Sequence, residues 1–411
     1  MRKPRHSDAV LNAFPVENGE LLIGGIPLTR LAERVGQTPF YAYDRQKITE
    51  RVAHLRKHLP DAVQLHYAIK ANPMPAVVQH LAGLVDGFDL ASLGEMRLAL
   101  DTGVAAERIS FAGPGKSETE IAAAIAAGVT LNLESDTELE RVAKLGRQLG
   151  IRPRAAVRVN PDFELKTSGL KMGGGPKPFG IDAERVPTVL KRIGELEFEF
   201  EGFHIFCGSQ GLDARALVEA HDKTFQLAYR LAEAAPAAVK KLNIGGGFGI
   251  PYFPGDTPLD VSPIGEQLGE LLAEQQRRQP ETQVILELGR YLVGEAGVYV
   301  CKIVDRKLSR GEVFLVADGG LHHHLAASGN FGQVIRKNYP VLIGTRMGSK
   351  EREIASIVGP LCTPLDLLAD RMELPRAEIG DLAVILQSGA YGLSASPGAF
   401  LGHPQCVEVL V

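Results

Sequence analysis

Residues 64–90 read QLHYAIKANPMPAVVQHLAGLVDGFDL, a short apolar strand (64–68) that stops on Lys70 before an Asn72-Pro73 turn, then a helical stretch (75–82) and a second strand (87–90). Strand, crossover helix and strand form the repeating unit of a parallel sheet. The same rhythm runs from about residue 38 to 290. Strand candidates are 40–43, 64–68, 87–90, 109–111, 130–133, 155–159, 203–206, 241–244 and 284–287. Helical stretches between them are 48–58, 75–82, 94–101, 117–127, 137–149, 214–233 and 264–278. Close to eight such units over about 250 residues predict a (β/α)8 TIM-type barrel rather than an open doubly wound sheet.

After Tyr291 the texture changes to short β-rich segments (297–304, 313–317, 353–358, 382–386 and 406–411) separated by Gly, Pro and polar turns. These predict a C-terminal all-β domain with antiparallel pairing. The expected organisation is an N-terminal strand segment, 1–37, joining the β domain through a strand at 21–26, then a barrel over 38–290 and the β domain over 291–411. Residues 165–178, rich in Gly and Lys and without apolar periodicity, read as a mobile loop beside the barrel mouth.

The 411 residues are 45% hydrophobic and 23% charged, enough for a large core in two domains. No apolar window approaches the roughly 20 residues that span a bilayer. The basic start Met1-Arg2-Lys3-Pro4-Arg5-His6 is not followed by an apolar run with a cleavage site, so a cytoplasmic protein is expected. Cys207, Cys301, Cys362 and Cys406 are widely spaced without a Cys-x-x-Cys pair, which predicts free thiols and no structural zinc. A net charge of −4 with interspersed signs gives no basic stripe for nucleic acid, so small-molecule chemistry is expected.

A lysine at the C-terminal end of a barrel strand lies where such folds gather reactive groups, and a desolvated amine there forms a Schiff base with an aldehyde. An isolated strand-end lysine more often simply faces solvent. Two downstream elements favour chemistry. The run Leu242-Asn243-Ile244-Gly245-Gly246-Gly247-Phe248-Gly249 takes a strand into a glycine cluster, which lets backbone N–H groups approach a phosphate. It falls in the penultimate unit of the expected barrel, where such folds commonly hold phosphate. Ile285-Leu286-Glu287-Leu288-Gly289-Arg290 places a carboxylate and a guanidinium at the last strand tip. The pair reads either as a structural ion pair or as an acid for a pyridine nitrogen beside an anion-binding arginine. Amine, phosphate cradle and acid together point to pyridoxal 5'-phosphate.

The chain resembles the fold-type III pyridoxal-phosphate decarboxylases, the family of diaminopimelate, ornithine and arginine decarboxylases, over nearly its whole length. The resemblance is carried in order by Tyr67–Asn72, Phe88–Glu95, Arg158–Pro161, Gly208–Gln210, Gly245–Gly249, Glu287–Arg290, Gly359-Pro360-Leu361-Cys362 and Gly389-Ala390-Tyr391. It implies that Lys70 carries the cofactor and that Glu287 pairs with its pyridinium. Ser209, Gly247, Arg290 and Tyr391 are then expected around the phosphate, with Asp89 and Arg158 nearby and Gly246 and Gly289 also contacting the cofactor. It also implies that Cys362 reaches the active site of a neighbouring subunit and helps protonate the product carbon, which requires a homodimer with shared sites.

The departures bear on substrate. Phe206 stands where the family usually has a histidine stacked on the cofactor ring, which keeps an apolar contact and removes a titratable group. His204, two residues earlier, is expected on the same face of its strand, in a packing role. Thr363 stands where diaminopimelate decarboxylases carry a glutamate for the distal ammonium, although Asp366 matches an aspartate of ornithine decarboxylases. Residues 318–327 lack the arginine that grips a distal carboxylate. Without those clamps, free diaminopimelate would leave a charged end unpaired. Phe203–Phe206 with Cys362–Asp366 and Ser394–Pro397 is similar to a branch that includes exosortase-associated decarboxylases and enzymes acting on an L-glutamyl group of an acyl carrier protein.

That branch implies α-decarboxylation of an L-amino acid or aminoacyl substrate; Lys166, Lys171 and Lys177 read either as a solvated loop or, with such a substrate, as charges that steer an acidic carrier. His322, His323 and His324 are consecutive and unsuited to one metal ion, so His323 is read with Asp366 and Tyr391 as a substrate contact. The alternatives are a diaminopimelate decarboxylase of lysine biosynthesis, a racemase on the same barrel-plus-β arrangement, and a regulatory homologue that binds partners without catalysis.

Overall fold

The computed structural model describes residues 6–164, 170, 171 and 173–411, the side chains of 170 and 171 excepted. The carrier-steering reading of Lys166 and Lys171 therefore lies outside the described residues. The chain forms two compact units. One comprises Arg51–Gly249 and Pro258–Gly289; the other comprises Met1–Glu50, Ile250–Thr257 and Arg290–Val411.

In the first unit, eight parallel strands among the described residues close on themselves: Val63–Ala68, Gly87–Leu90, Ile109–Phe111, Thr130–Leu133, Arg154–Asn160, Glu199–Ile205, Lys241–Gly246 and Gln283–Leu288. Closure comes from the last strand pairing with the first, Glu287 opposite His66. The expected barrel is present. Serine caps set the helices that follow three of the strands: the hydroxyls of Ser92, Ser117 and Ser135 accept the N–H of Glu95, Glu120 and Glu138. Each cap satisfies a helix N–H that would otherwise lack a partner, and so fixes where the strand-end loop turns. The strand-to-helix loops at the C-terminal barrel face are short and well defined as a result.

The strand Phe40–Tyr43 corrects the sequence reading. It was expected to open the barrel, yet it pairs with Gly297–Val300 and with Val407–Leu410 in the second unit. All four of its residues are buried, and a strand covered on both faces carries no alternation that marks which sheet it joins.

The second unit is a mixed sheet rather than a purely antiparallel one. Its order runs Val341–Ile343, Leu382–Ile385, Gly297–Ser309, Glu312–Ala317, Arg352–Val358 and Leu367–Pro375. Glu312–Ala317 lies parallel to Arg352–Val358, and Val407–Leu410 parallel to Phe40–Tyr43. The segment around Glu20–Ile23 forms its own three-stranded sheet with Val16–Glu17 and Ile26–Pro27. It packs Leu21, Ile23, Leu28 and Leu31 against Phe40, Val298, Val300 and Val384 instead of extending the large sheet.

Candidate active site

Lys70 sits in a single 3-10 turn, Ile69–Ala71, directly after the first barrel strand. Its Nζ is 3.7 Å from Oε1 of Glu287 and 5.5 Å from the centre of the Phe206 ring. Gly289 makes this approach possible. A Cβ there would lie 2.9 Å from Cβ of Ala71 and 3.3 Å from the carbonyl oxygen of Ala68, so only glycine lets the last strand end close against the lysine turn. The Lys70 side chain is 44% exposed and that of Glu287 only 5%, which puts an accessible amine beside a buried acid.

Burial alone would raise the Glu287 carboxyl, but His204, Lys70 and Arg158 outweigh it and hold the group well below the usual carboxylate range. His204 Nε2 is 3.0 Å from Glu287 Oε2. Asn243 Nδ2 stands 3.5 Å from both Glu287 Oε2 and Asp89 Oδ1. Asp89 in turn has His66 Nδ1 at 3.3 Å from Oδ2 and accepts the Ser110 hydroxyl at Oδ1. The inner layer is therefore polar and continuous from Glu287 to Asp89. Arg158 reaches this layer through charge alone, since its guanidinium donates to Glu134 at 2.8 Å.

The glycine run has the shape a phosphate cradle needs. Gly245 and Gly247 adopt φ of +68° and +78°, a region side chains rarely enter. A Cβ on Gly246 would lie 2.0 Å from the carbonyl oxygen of Glu287, so this glycine permits close pairing of the last two barrel strands. The Asn243 side-chain oxygen accepts the Gly245 N–H at 2.8 Å, tying the loop to the polar layer. Gly211 N–H donates to the Gly247 carbonyl at 2.8 Å, which zips the loop to the segment carrying Ser209.

In the second unit Arg290 lies between two tyrosine rings, 5.3 Å from the centre of Tyr252 and 4.7 Å from that of Tyr391, and donates to the Tyr252 hydroxyl at 3.0 Å. Its Nε is buried without a hydrogen-bond partner, and no carboxylate pairs with it among the described residues. A buried guanidinium without a counter-ion calls for an anion.

A family model described as the pyridoxal-binding domain of pyridoxal-dependent decarboxylases matches residues 45–294. The chain belongs to the pyridoxal-dependent decarboxylases. It is 39% identical over 393 residues to an L-glutamyl-[BtrI acyl-carrier protein] decarboxylase of Niallia circulans, covering 93% of this chain and 90% of the relative. It is 34% identical to a diaminopimelate decarboxylase of Aquifex aeolicus, covering 96% and 91%. The crystal structure of diaminopimelate decarboxylase from M. jannaschii superposes with a TM-score of 0.86 at 26% identity, covering 98% and 93%. The cofactor is thus pyridoxal phosphate and the enzyme a carboxy-lyase. Residues of the barrel unit fit that group: an accessible amine stands beside a buried carboxylate that its neighbours hold ionised.

Other expected site residues of the decarboxylase lie in the second unit. Cys362 is exposed, whereas Cys207, Cys301 and Cys406 are buried. Asp366 is 3% exposed and accepts the N–H groups of Leu321 and Leu361 at 2.6 and 2.8 Å. Its carboxylate thereby joins the histidine segment to the Cys362 loop, and the geometry is that of a staple rather than an open ligand. His323 is 1% exposed, with Nε2 2.9 Å from the Pro404 carbonyl and Nδ1 3.3 Å from the Tyr299 hydroxyl. A ring so engaged has no nitrogen to offer a substrate. The three histidines lie in a turn, and no metal-binding cluster occurs among the described residues.

Sequence reasoning missed the parts played by His66, Ser110, Glu134 and Asn243. The available signal was polar side chains inside otherwise apolar strands, which are expensive to bury and therefore partnered.

Proposed function

We propose that the enzyme decarboxylates an L-aminoacyl group, of which a carrier-bound L-glutamyl group is the best-supported form, in preference to free diaminopimelate. The observation that carries this is the substrate end. Thr363 replaces the ammonium-binding glutamate, and residues 318–327 contain no arginine. The next arginine along the chain, Arg336, is taken up by the Ser328 carbonyl (3.0 Å), the Asn338 side chain (2.9 Å) and the Leu367 carbonyl (2.5 Å). A thioester-linked far end needs no charged clamp, and the relative from Niallia circulans is named for such a substrate.

In this reading Lys70 holds the cofactor, Glu287 keeps its ring nitrogen protonated, and Phe206 supplies an apolar face. Ser209 and the glycine run receive the phosphate, a role that the family motifs also imply for Arg290 and Tyr391. The bound cofactor supplies an electron sink for the pair left when carbon dioxide departs. Around it the chain orients the amine of Lys70, shields the buried carboxylate from water and keeps its charge. Cys362, the exposed thiol, is the candidate proton donor to the product carbon, acting in a homodimer in which it serves the partner's site. No helix among the described residues is long and apolar enough to cross a membrane.

The test is carbon dioxide release from glutamyl-loaded carrier protein and from a panel of free amino acids. Release from the loaded carrier at far higher kcat/KM is expected. Efficient release from free diaminopimelate would sink the substrate reading.

A further inference from the structure

The two oxygens of Glu287 are treated differently. Oε2 faces His204 Nε2 at 3.0 Å and Asn243 Nδ2 at 3.5 Å, while Oε1 faces the more distant amine of Lys70 at 3.7 Å. His204, Asn243 and Glu287 come from three consecutive barrel strands, with His204 in register with Asn243. The His204 and Glu287 side chains are 3% and 5% exposed, so water does not substitute for this contact. Both ring nitrogens of His204 are buried without a hydrogen-bond partner among the described residues, so the approach of Nε2 to Oε2 is a close polar contact rather than an aligned hydrogen bond. Nε2 is the ring nitrogen that stands beside the carboxylate, at the distance at which an N–H donor stabilises a charged oxygen.

We propose that His204 is a positioning residue for the decarboxylation, holding Oε2 of Glu287 against the barrel wall so that Oε1 stays turned toward the Lys70 amine and the cofactor. This rests on the cofactor assignment and gives a task to a histidine otherwise read as packing. The charged or titratable groups facing Glu287 are Lys70 and His204, with Arg158 acting at longer range. Asp89 lies beyond Asn243. Without His204, only Lys70 and Arg158 remain to keep the carboxylate ionised.

The experiment reconstitutes wild type, His204→Leu and His204→Gln with pyridoxal phosphate and follows cofactor affinity by visible absorbance across pH. A hydrogen bond to a charged group accounts for about tenfold to about a hundredfold in an equilibrium constant. His204→Leu is expected to lose that much affinity, and to lose more as the pH falls toward the ordinary glutamate value of about 4.3. His204→Gln, which retains an N–H donor, is expected to recover most of the affinity and the wild-type pH profile. A merely structural histidine would give a loss that does not vary with pH and that glutamine does not rescue. That pattern, or affinity within twofold of wild type in the leucine variant, overturns the proposal. Should the leucine variant not fold, the glutamine variant decides: a wild-type profile supports the role and a flat loss refutes it. Absence of cofactor uptake by the wild type is a separate result and would count against the cofactor assignment.

Discussion

Removing the Asp366 carboxylate separates a staple from a substrate contact. Its two oxygens accept the buried N–H groups of Leu321 and Leu361 at 2.6 and 2.8 Å. A Cβ on Gly320 or Gly359 would lie 2.1 or 2.2 Å from those oxygens, so both glycines exist to let the carboxylate in. Hydrogen bonds to charged groups contribute about 1.5–3 kcal/mol each. Burial opposes them and is the larger influence on the group, raising its carboxyl above the ordinary value. Net of that penalty, Asp366→Ala should destabilise the second unit by about 2–4 kcal/mol, with two main-chain donors left buried and unpaired. Amide exchange reads this directly. At 1.4 kcal/mol per decade, the Leu321 and Leu361 amides should exchange about thirtyfold to several hundredfold faster.

Asp366→Asn removes the buried charge and should cost only about 1–2 kcal/mol. Because the folded carboxyl is raised, wild type gains stability from this group as the pH falls through the folded value toward the unfolded one, whereas asparagine does not titrate. The gap between them should therefore widen on acidification. Unchanged exchange at both amides, together with a raised KM in Asp366→Ala, would refute the staple and restore Asp366 to the substrate.

Three further outcomes follow from the same geometry. Lys70→Ala should abolish turnover and any cofactor that borohydride can fix to the chain, measured by carbon dioxide release and by mass spectrometry. Lys116, 1% exposed and 2.7 Å from the 3% exposed Glu138, should cost about 3–5 kcal/mol when changed to alanine, because a buried carboxylate is left unpaired; thermal unfolding checks this, with Lys116→Ala/Glu138→Leu expected to recover part of the loss. The depressed Glu287 carboxyl stabilises the fold above the unfolded value of about 4.3, and that contribution disappears only as the pH falls through the lower folded value; the stability difference between wild type and Glu287→Gln, followed by urea unfolding, should thus persist at pH 5–8 and close only in strong acid.

The barrel was legible because its evidence is local. Each strand candidate is bounded by its own turn or cap, and glycines at 245, 247 and 289 mark backbone conformations or approaches that no other residue accepts. The strand Leu367–Pro375 was not legible. Its sequence LLADRMELP consists largely of good helix formers, and pairing with Arg352–Val358 overrides that preference. Phe40–Tyr43 failed for another reason, since its burial on both faces is compatible with either sheet.

The candidate site divides along the same line. Lys70, Glu287 and the glycine run announce themselves because each stands at a strand tip beside a turn signal. The groups that set their chemistry do not, because what matters is which strands become neighbours. Asn243 meets Asp89 across 154 positions of sequence and Glu287 across 44. His204 could be placed on a face by its period of two, but its contact with Glu287 arises only when the sixth, seventh and eighth strands align in register. Arg158 shows the converse. Its motif points to the cofactor, while its guanidinium is held by Glu134, a residue whose own strand tip lies 24 positions earlier. Barrel closure converts such distant residues into one electrostatic layer, and the ionisation of Glu287 depends on that layer rather than on its own motif.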